Sequence, residues 1–396
     1  VKQMGILDGV KVIDFTHAYA GPFCSLNLAD YGAEVIKVER IDGGDQARTW
    51  GPFKNEYSAY YASFNRGKKS ITLDIASPEG KEIIFNLVKD ADIVCSNFKA
   101  GTLEKYGIGY DDMKKIKPDI IYASISGFGT EGFLSKFAAY DNVIQAISGV
   151  MDVNGFPEKG PTKIGPAIGD SYSGLILYLG IFIAYYHRLR TGRGQKVDVT
   201  MLGSLYTLLE YPILEYTNKG NVISRTGNTS HYCAPADTYK VKDGYIALTV
   251  RNDAMWETFC KKMSLLPLLE EKDFQTNENR VANKQRLKEI LLPIFAEKTM
   301  GEMEALFSDT DIPLSAVIDI VKSLEDPHLV ARKMVIEVND PVIGPLKLVG
   351  NPMKLSENQP ILDIPSPTLG EHTSDILLSL GYTEDEIKQY KENKVV

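Results

Sequence analysis

The chain has 396 residues, 44% of them hydrophobic, and carries a net charge of −8. That size exceeds one comfortable core and predicts two domains. The mixed charges, with no basic stripe, exclude a nucleic-acid binder, and the ordinary apolar content excludes disorder.

The opening predicts strand, helix, strand. Val10 to Phe15 is a short apolar run, Ala20-Gly21-Pro22 breaks it, and Phe23, Leu26 and Leu28 give a following helix its apolar face. Gly32 ends that helix and a second strand runs from Ala33 to Glu39. The pattern repeats: an extended stretch at Ser70 to Ile75, a helix at Pro78 to Lys89, a strand at Asp92 to Cys95, a short helix at Asp111 to Ile116, and a strand at Asp119 to Ser126. Alternation of this kind predicts a parallel sheet with helices on both faces. Helices follow at Asp141 to Gly149 and Gly174 to Arg190, then a strand at Gln195 to Val199 and a helix from Leu202 to Tyr216. Beyond the polar, Gly-rich stretch after Asn218, a hairpin turns at Asp243-Gly244, and helices run at Trp256 to Met263, Lys284 to Glu297 and Met300 to Phe307. The reading is an α/β protein: residues 1–200 as a large domain, 201–225 as a linker, 226–325 as a smaller α+β domain, and 326–396 as a linker and return to the large domain.

Cys24, Cys95, Cys233 and Cys260 form no C-x-x-C pair, so neither a zinc site nor a redox dithiol is expected, and free thiols point to a reducing cytoplasm. Val1 to Asp14 lacks the pattern of a signal peptide. The longest apolar run, Gly174 to Tyr186, has 13 residues where a membrane span needs ~20, and is read as a buried core helix.

Three segments carry candidate chemistry. Gly127-Phe128-Gly129-Thr130-Glu131-Gly132 matches G-x-G-x-x-G but does not open a helix after the first strand, so it does not predict a dinucleotide site. Asp14 to Pro22 puts polar and aromatic groups at the carboxyl end of a strand, where ligands bind in doubly wound sheets, and Arg40 and Arg48 downstream are either phosphate partners or residues of a solvated loop. Asp170 and Ser171 precede the most apolar helix. Either one is its N-cap, or Asp170 is an ionised carboxylate at a helix N-terminus and able to act as a nucleophile. The two roles are compatible.

Taken together these pieces resemble the class III CoA-transferase family. The matching segments are Asp14 to Pro22, Gly32 to Arg40, Asn65 to Ser70, Ser96-Asn97-Phe98, Ser126 to Gly129, Ala139-Tyr140-Asp141, Gly169-Asp170, Thr191 to Gln195, Asp326 to Arg332 and Leu369 to Thr373. The resemblance implies a Rossmann-like large domain built from both chain ends, a small domain, and an interlocked homodimer. It implies coenzyme A or an acyl-CoA as substrate, a small carboxylic acid as its partner, and no permanently bound cofactor, metal, nucleic acid or membrane. It places CoA along His17, Tyr19, Arg40, Lys69, Asn97, Phe98 and Lys105, with Asp170 at the thioester as the catalytic nucleophile. The α-methylacyl-CoA racemases share the family's fold and place a His where this chain has Tyr140. Tyrosine, with a reference pKa of ~10, is a poor proton exchanger near neutrality, which favours the transferase. Tyr140, His231 and Tyr232 are the candidates for lining the acceptor pocket, and packing is the alternative role for each.

Overall fold

The computed structural model describes residues 5–396. The first four, part of the stretch read above for a leader, lie outside the described residues.

The chain divides into two compact units. The first comprises the residues to Val150, Lys163–Asn221 and Pro327–Val396, and the second Met151–Thr162 and Val222–Asp326. Two boundaries differ from the sequence reading. Residues through Asn221, expected as linker, belong to the first unit and are helical at Met201–Tyr206 and Glu210–Lys219. Met151–Thr162 belongs to the second unit, held there by Arg225, whose Nη1 donates to the Asp152 carbonyl at 2.7 Å, and by Gly227 N–H to the Gly155 carbonyl at 2.8 Å. Contacts between distant segments leave no local pattern, so neither boundary was readable.

In chain order, the first unit contributes β1 (Lys11–Asp14), α1 (Ala20–Asp30), β2 (Glu34–Glu39), β3 (Lys69–Thr72), α2 (Pro78–Asp90), β4 (Ile93–Ser96), β5 (Ile121–Ser126), α3 (Asp141–Ile147), α4 (Ile168–Thr191) and β6 (Lys196–Thr200). The six strands form one parallel sheet in the order β3-β2-β1-β4-β5-β6. The chain runs outward from β1 in one direction, then restarts beside it with β4. At that reversal the loops after β1 and β4 diverge at the carboxyl edge and leave a crevice, the usual ligand position in such sheets.

Side chains alternate across the strands. Ile13, Phe15, Ile36, Val38, Ile71 and Val94 point into an apolar core with Ile83, Ile84, Leu87 and Val88 of α2. Ile376, Leu377, Val395 and Val396 join the same core, so the C-terminal segment packs in this unit. Asp14, Lys37, Glu39 and Ser70 occupy the alternate positions and are equally buried.

α4 is long and apolar enough, by length and composition alone, to cross a membrane. One face, with Ser173, Gly174, Leu177, Ile181 and Ala184, is buried and packs on α1, β5 and β6. The expectation of a buried core helix holds for that face only, since Leu175, Leu179, Ile183 and Tyr186 are exposed. Gly174 sets how closely α4 approaches α1: a Cβ there would sit 2.5 Å from the Ala20 carbonyl oxygen.

The second unit holds β7 (Ala236–Val241), β8 (Gly244–Thr249) and β9 (Leu314–Ala316) in an antiparallel sheet ordered β9-β8-β7. Its core packs Trp256 and Phe259 with Leu287, Leu291 and Phe295 from the helix at Lys284–Ala296.

Candidate active site

A network of buried charges shapes the loop after β1. Lys37 Nζ lies 2.9 Å from Asp45 Oδ2 and donates to the Thr16 carbonyl at 2.6 Å. Lys68 Nζ lies 3.1 Å from Asp14 Oδ2 and donates to Ser25 Oγ and Asn65 Oδ1. Burial pushes Asp14 up, but Lys68 and Lys37 outweigh it and hold the carboxyl below its ordinary range. Asp45 Oδ1 accepts the N–H groups of Ala18, at 3.0 Å, and Ala47, at 2.9 Å. Against its burial, Lys37 and those two N–H groups hold Asp45 at about 2. Ala18 has a φ of 66°, a left-handed conformation costly for a residue with a Cβ. The network thus fixes a strained turn at His17–Ala20.

Asn97, after β4, ties the same turn from the other side of the crevice. Its Oδ1 accepts the His17 N–H at 2.8 Å and its Nδ2 donates to the His17 carbonyl at 2.7 Å. The His17 ring lies 5.0 Å from Phe98, and its Nδ1 is buried with no hydrogen-bond partner. Burial, with Lys37 and Arg40 adding to it, pulls His17 below its ordinary value, so the ring is neutral at pH 7.

Two cavities adjoin this turn and share His17, Gln46 and Lys99. One, of about 480 Å³, is walled by Phe15, Arg40, Gly44, Phe98 and Thr102. The other, of about 210 Å³, is walled by Asn97, Ser126, Gly127, Phe137, Tyr140 and Asp170. Asp170 therefore faces a cleft whose polar lining comes from the ends of β1, β4 and β5.

Asp170 is the third residue of α4, not its cap. The N-cap is Ala167, which makes no side-chain cap, and Ser171 lies one residue further in. The capping role considered from sequence is filled by Asp141, from α3, whose Oδ1 accepts the Gly169 N–H at 2.7 Å. Nor does the helix terminus leave Asp170 strongly acidic, as expected above. Burial first, then the charge of Asp141, raises it to about 7, opposed by the Ala20 N–H at the start of α1.

The remaining predicted residues divide. Arg40 is exposed at the cavity mouth, and its guanidinium makes only long contacts, 3.4 Å, to the Gly44 carbonyl. Tyr19 sits ahead of α1 in an aromatic cluster, 4.3 Å from Phe64, with its hydroxyl bonded to Ser171. Tyr140, largely exposed, lines the Asp170 cleft. Lys69 is not brought here: it begins β3, at the amino edge of the sheet, ion-paired with Glu34. The sheet's polarity separates it from the carboxyl edge, which its place beside Lys68 in sequence did not reveal. Lys105 ends the short helix Thr102–Lys105, is exposed, and lines neither cavity. His231 and Tyr232 belong to the second unit, their rings 6.4 Å apart. Sequence reasoning assigned no role to Gln46, Lys99 or Asp141. Lys99 follows Asn97-Phe98 directly and Asp141 follows Tyr140, and those neighbours were the available signal. Among the described residues, no group of three or more His, Cys, Asp or Glu is placed to hold a metal ion.

The profile of CoA-transferase family III matches residues 7–373. The chain belongs to that family. It is a CoA-transferase, with a mixed α/β fold around a central parallel sheet. A succinyl-CoA:mesaconate CoA-transferase of Haloarcula hispanica is 35% identical over 96% of this chain and 97% of its own. A human succinyl-CoA:glutarate CoA-transferase is 36% identical over 94% of this chain and 85% of its own. Among solved structures, a CAIB/BAIF family protein from Brucella suis superposes with a TM-score of 0.85 at 36% identity, covering 96% of this CoA-transferase and 100% of that chain. CoA thioesters are the substrates of CoA-transferases.

Proposed function

We propose that this enzyme moves CoA from an acyl-CoA to a small carboxylic acid through covalent intermediates on Asp170. The observation that carries the reading is the position of Asp170: a carboxylate in the first turn of a long helix, facing a polar cleft that shares His17, Gln46 and Lys99 with a second cavity bordered by Arg40. In this reading the CoA phosphates meet Arg40 and Lys99 as charge-assisted pairs. Phe98 offers a flat apolar surface, and His17 and Asn97 order the turn beside the thioester.

The Asp170 carboxylate attacks the donor thioester carbonyl, the carbon–sulfur bond breaks, and a mixed anhydride and CoA thiolate result. The thiolate attacks the Asp170 carboxyl carbon and expels the donor carboxylate, which leaves an aspartyl-CoA thioester. The acceptor carboxylate then attacks that carbon and expels the thiolate. Attack of the thiolate on the acceptor's acyl carbon releases the new acyl-CoA and restores Asp170. The names of the relatives support succinyl-CoA as donor and a short dicarboxylic acid as acceptor, with Tyr140, on the wall of the Asp170 cleft, proposed to meet the acceptor.

The strand order β3-β2-β1-β4-β5-β6 supports a Rossmann-like description of the large unit. The exposed stripe Leu175, Leu179, Ile183 and Tyr186 supports a homodimer, interlocked as in the family, in which a second copy covers it. Light scattering at the mass of one chain would count against this. The four free, buried cysteines support a cytoplasmic setting, which fractionation of the source cells checks.

The test of the nucleophile is Asp170→Asn. The variant is expected to fold and bind CoA with transfer activity almost gone, because an amide cannot form the anhydride. With succinyl-CoA and hydroxylamine, the wild-type peptide containing Asp170 gains a hydroxamate. Near-normal turnover in the variant, or labelling only at another carboxylate, refutes the mechanism.

A further inference from the structure

Asp170 stands on backbone that one turn of a different helix holds in place. Asp141 opens α3, and the buried Gln145 lies one turn later on the same face. Asp141 Oδ1 accepts the Gly169 N–H at 2.7 Å, and Asp141 Oδ2 accepts Gln145 Nε2–H at 2.7 Å. Gln145 Oε1 accepts the Ile164 N–H at 2.7 Å, while its Nε2 also donates to the Ile164 carbonyl at 3.3 Å. The two side chains therefore grip both ends of the segment that leads into α4, the helix whose own N-cap makes no side-chain hydrogen bond. The fit is close: a Cβ at Gly169 would lie 2.8 Å from Asp141 Oδ1.

We propose that Asp141 and Gln145 are positioning residues for Asp170, which fix the backbone carrying it and hold a second negative charge beside it. This rests on the reading of Asp170 as the nucleophile. Two consequences follow for the reaction. A misplacement of about 1 Å at a reacting group costs on the order of a hundredfold in rate, so the grip on Ile164 and Gly169 bears directly on turnover. Acylation of Asp170 removes its charge, so repulsion from Asp141 is present in the resting enzyme and absent from every covalent intermediate. The pair destabilises the ground state and leaves the intermediates untouched, which lowers the barrier to acylation. The other groups near Asp170 do not supply this charge. Tyr19 and Tyr60 are held neutral by burial, His17 faces the cleft as a neutral ring, and Lys99 across the cleft has the opposite sign.

Two variants test the pair. Asp141→Ala removes grip and charge together, and is expected to lose about a hundredfold in kcat with the KM for succinyl-CoA little changed. The double variant D141N/Q145E keeps the hydrogen bonds to the Gly169 and Ile164 N–H groups and gives up only the 3.3 Å donation to the Ile164 carbonyl. The new amide oxygen accepts the Gly169 N–H, the new amide N–H donates to the new carboxylate, and that carboxylate still accepts the Ile164 N–H, but the charge moves one turn away. It should recover most of the lost kcat while the acid limb of its pH profile moves down by about one unit. Infrared titration of the carboxyl band, assigned by subtracting the spectrum of Asp170→Asn, should move with it. Wild-type kcat in Asp141→Ala, or an Asp170 titration unmoved in the double variant, overturns the proposal. Failure of the nucleophile reading appears separately, as absence of hydroxamate on the Asp170 peptide. The infrared titration then still decides whether the charge of Asp141 acts on Asp170.

Discussion

The two faces of the parallel sheet are both buried and differ in their polar content: the face toward α2 is apolar, while the other adds a charged network to apolar positions such as Val12, Val35, Cys95 and Ile125. Toward α2, Ile13, Phe15, Ile36, Val38, Ile71 and Val94 cluster with apolar side chains. On the alternate positions of the same strands, Asp14, Lys37, Glu39 and Ser70 form a charged network with Ser25, Asp45, Arg48 and Lys68. An apolar face stabilises without direction, since hydrophobic burial is proportional to area and indifferent to geometry. Hydrogen-bonded charges are costly to bury and weak evidence of stability, but they specify position. Here they specify the turn at His17–Ala20, whose last N–H meets Asp170. Both faces hold the unit together, and the charged network on one of them also places the turn beside Asp170.

The largest expected effect breaks the charged face. Lys37→Met leaves Asp45 buried without its ion-pair partner, while Asp14 keeps Lys68, and should cost about 3–5 kcal/mol in stability. The turn at His17–Ala20 should loosen with it and raise the KM for acyl-CoA. Urea unfolding beside steady-state kinetics reads both, and a variant with normal KM would show that the network does not position the turn. A smaller loss is expected on the apolar face. Ile84→Ala, fully buried against the sheet, should cost about 2–4 kcal/mol and leave the KM for acyl-CoA unchanged. If KM changed as much as in Lys37→Met, the division of labour between the faces would not hold.

The smallest effect concerns pH. Asp170 sits at about 7 in the folded enzyme against an ordinary value of 3.8. Between those values the folded state binds the extra proton, so this carboxyl's contribution to stability is present at about pH 4 and is lost as pH rises through 7. Under the proposed mechanism turnover goes the other way, because only a carboxylate attacks the thioester. The kcat profile should rise with an acid limb near 7, with activity at pH 6 about tenfold below the plateau. Denaturant midpoints and kcat measured across the same pH range check both slopes, and a kcat flat from pH 5.5 to 8 would refute the assignment.

Much of the first unit was legible because its signals are local. Short apolar runs, Pro22 and Pro78 inside the first turns of helices, and Gly32 at a helix end identify β1, α1, β2 and α2 to within a residue or two. The clustering of polar residues at the end of β1 located the crevice, and the order of short motifs identified the family. What the sequence could not provide was direction and distance. It did not separate Lys69, at the amino edge of β3, from Lys68, whose ammonium reaches Asp14. It offered Asp170 or Ser171 as a cap beside the nucleophilic role, although the Gly169 N–H is capped by Asp141, 28 residues from Gly169 in sequence. It placed a charged carboxylate at a helix N-terminus without the burial and the second carboxylate that bring it to about 7. Local pattern determines which elements form, because backbone hydrogen bonds and side-chain periodicity act over a few residues. Which side chains meet, and so which charge acts on which, is decided only when strands far apart in sequence lie side by side and water has left the space between them.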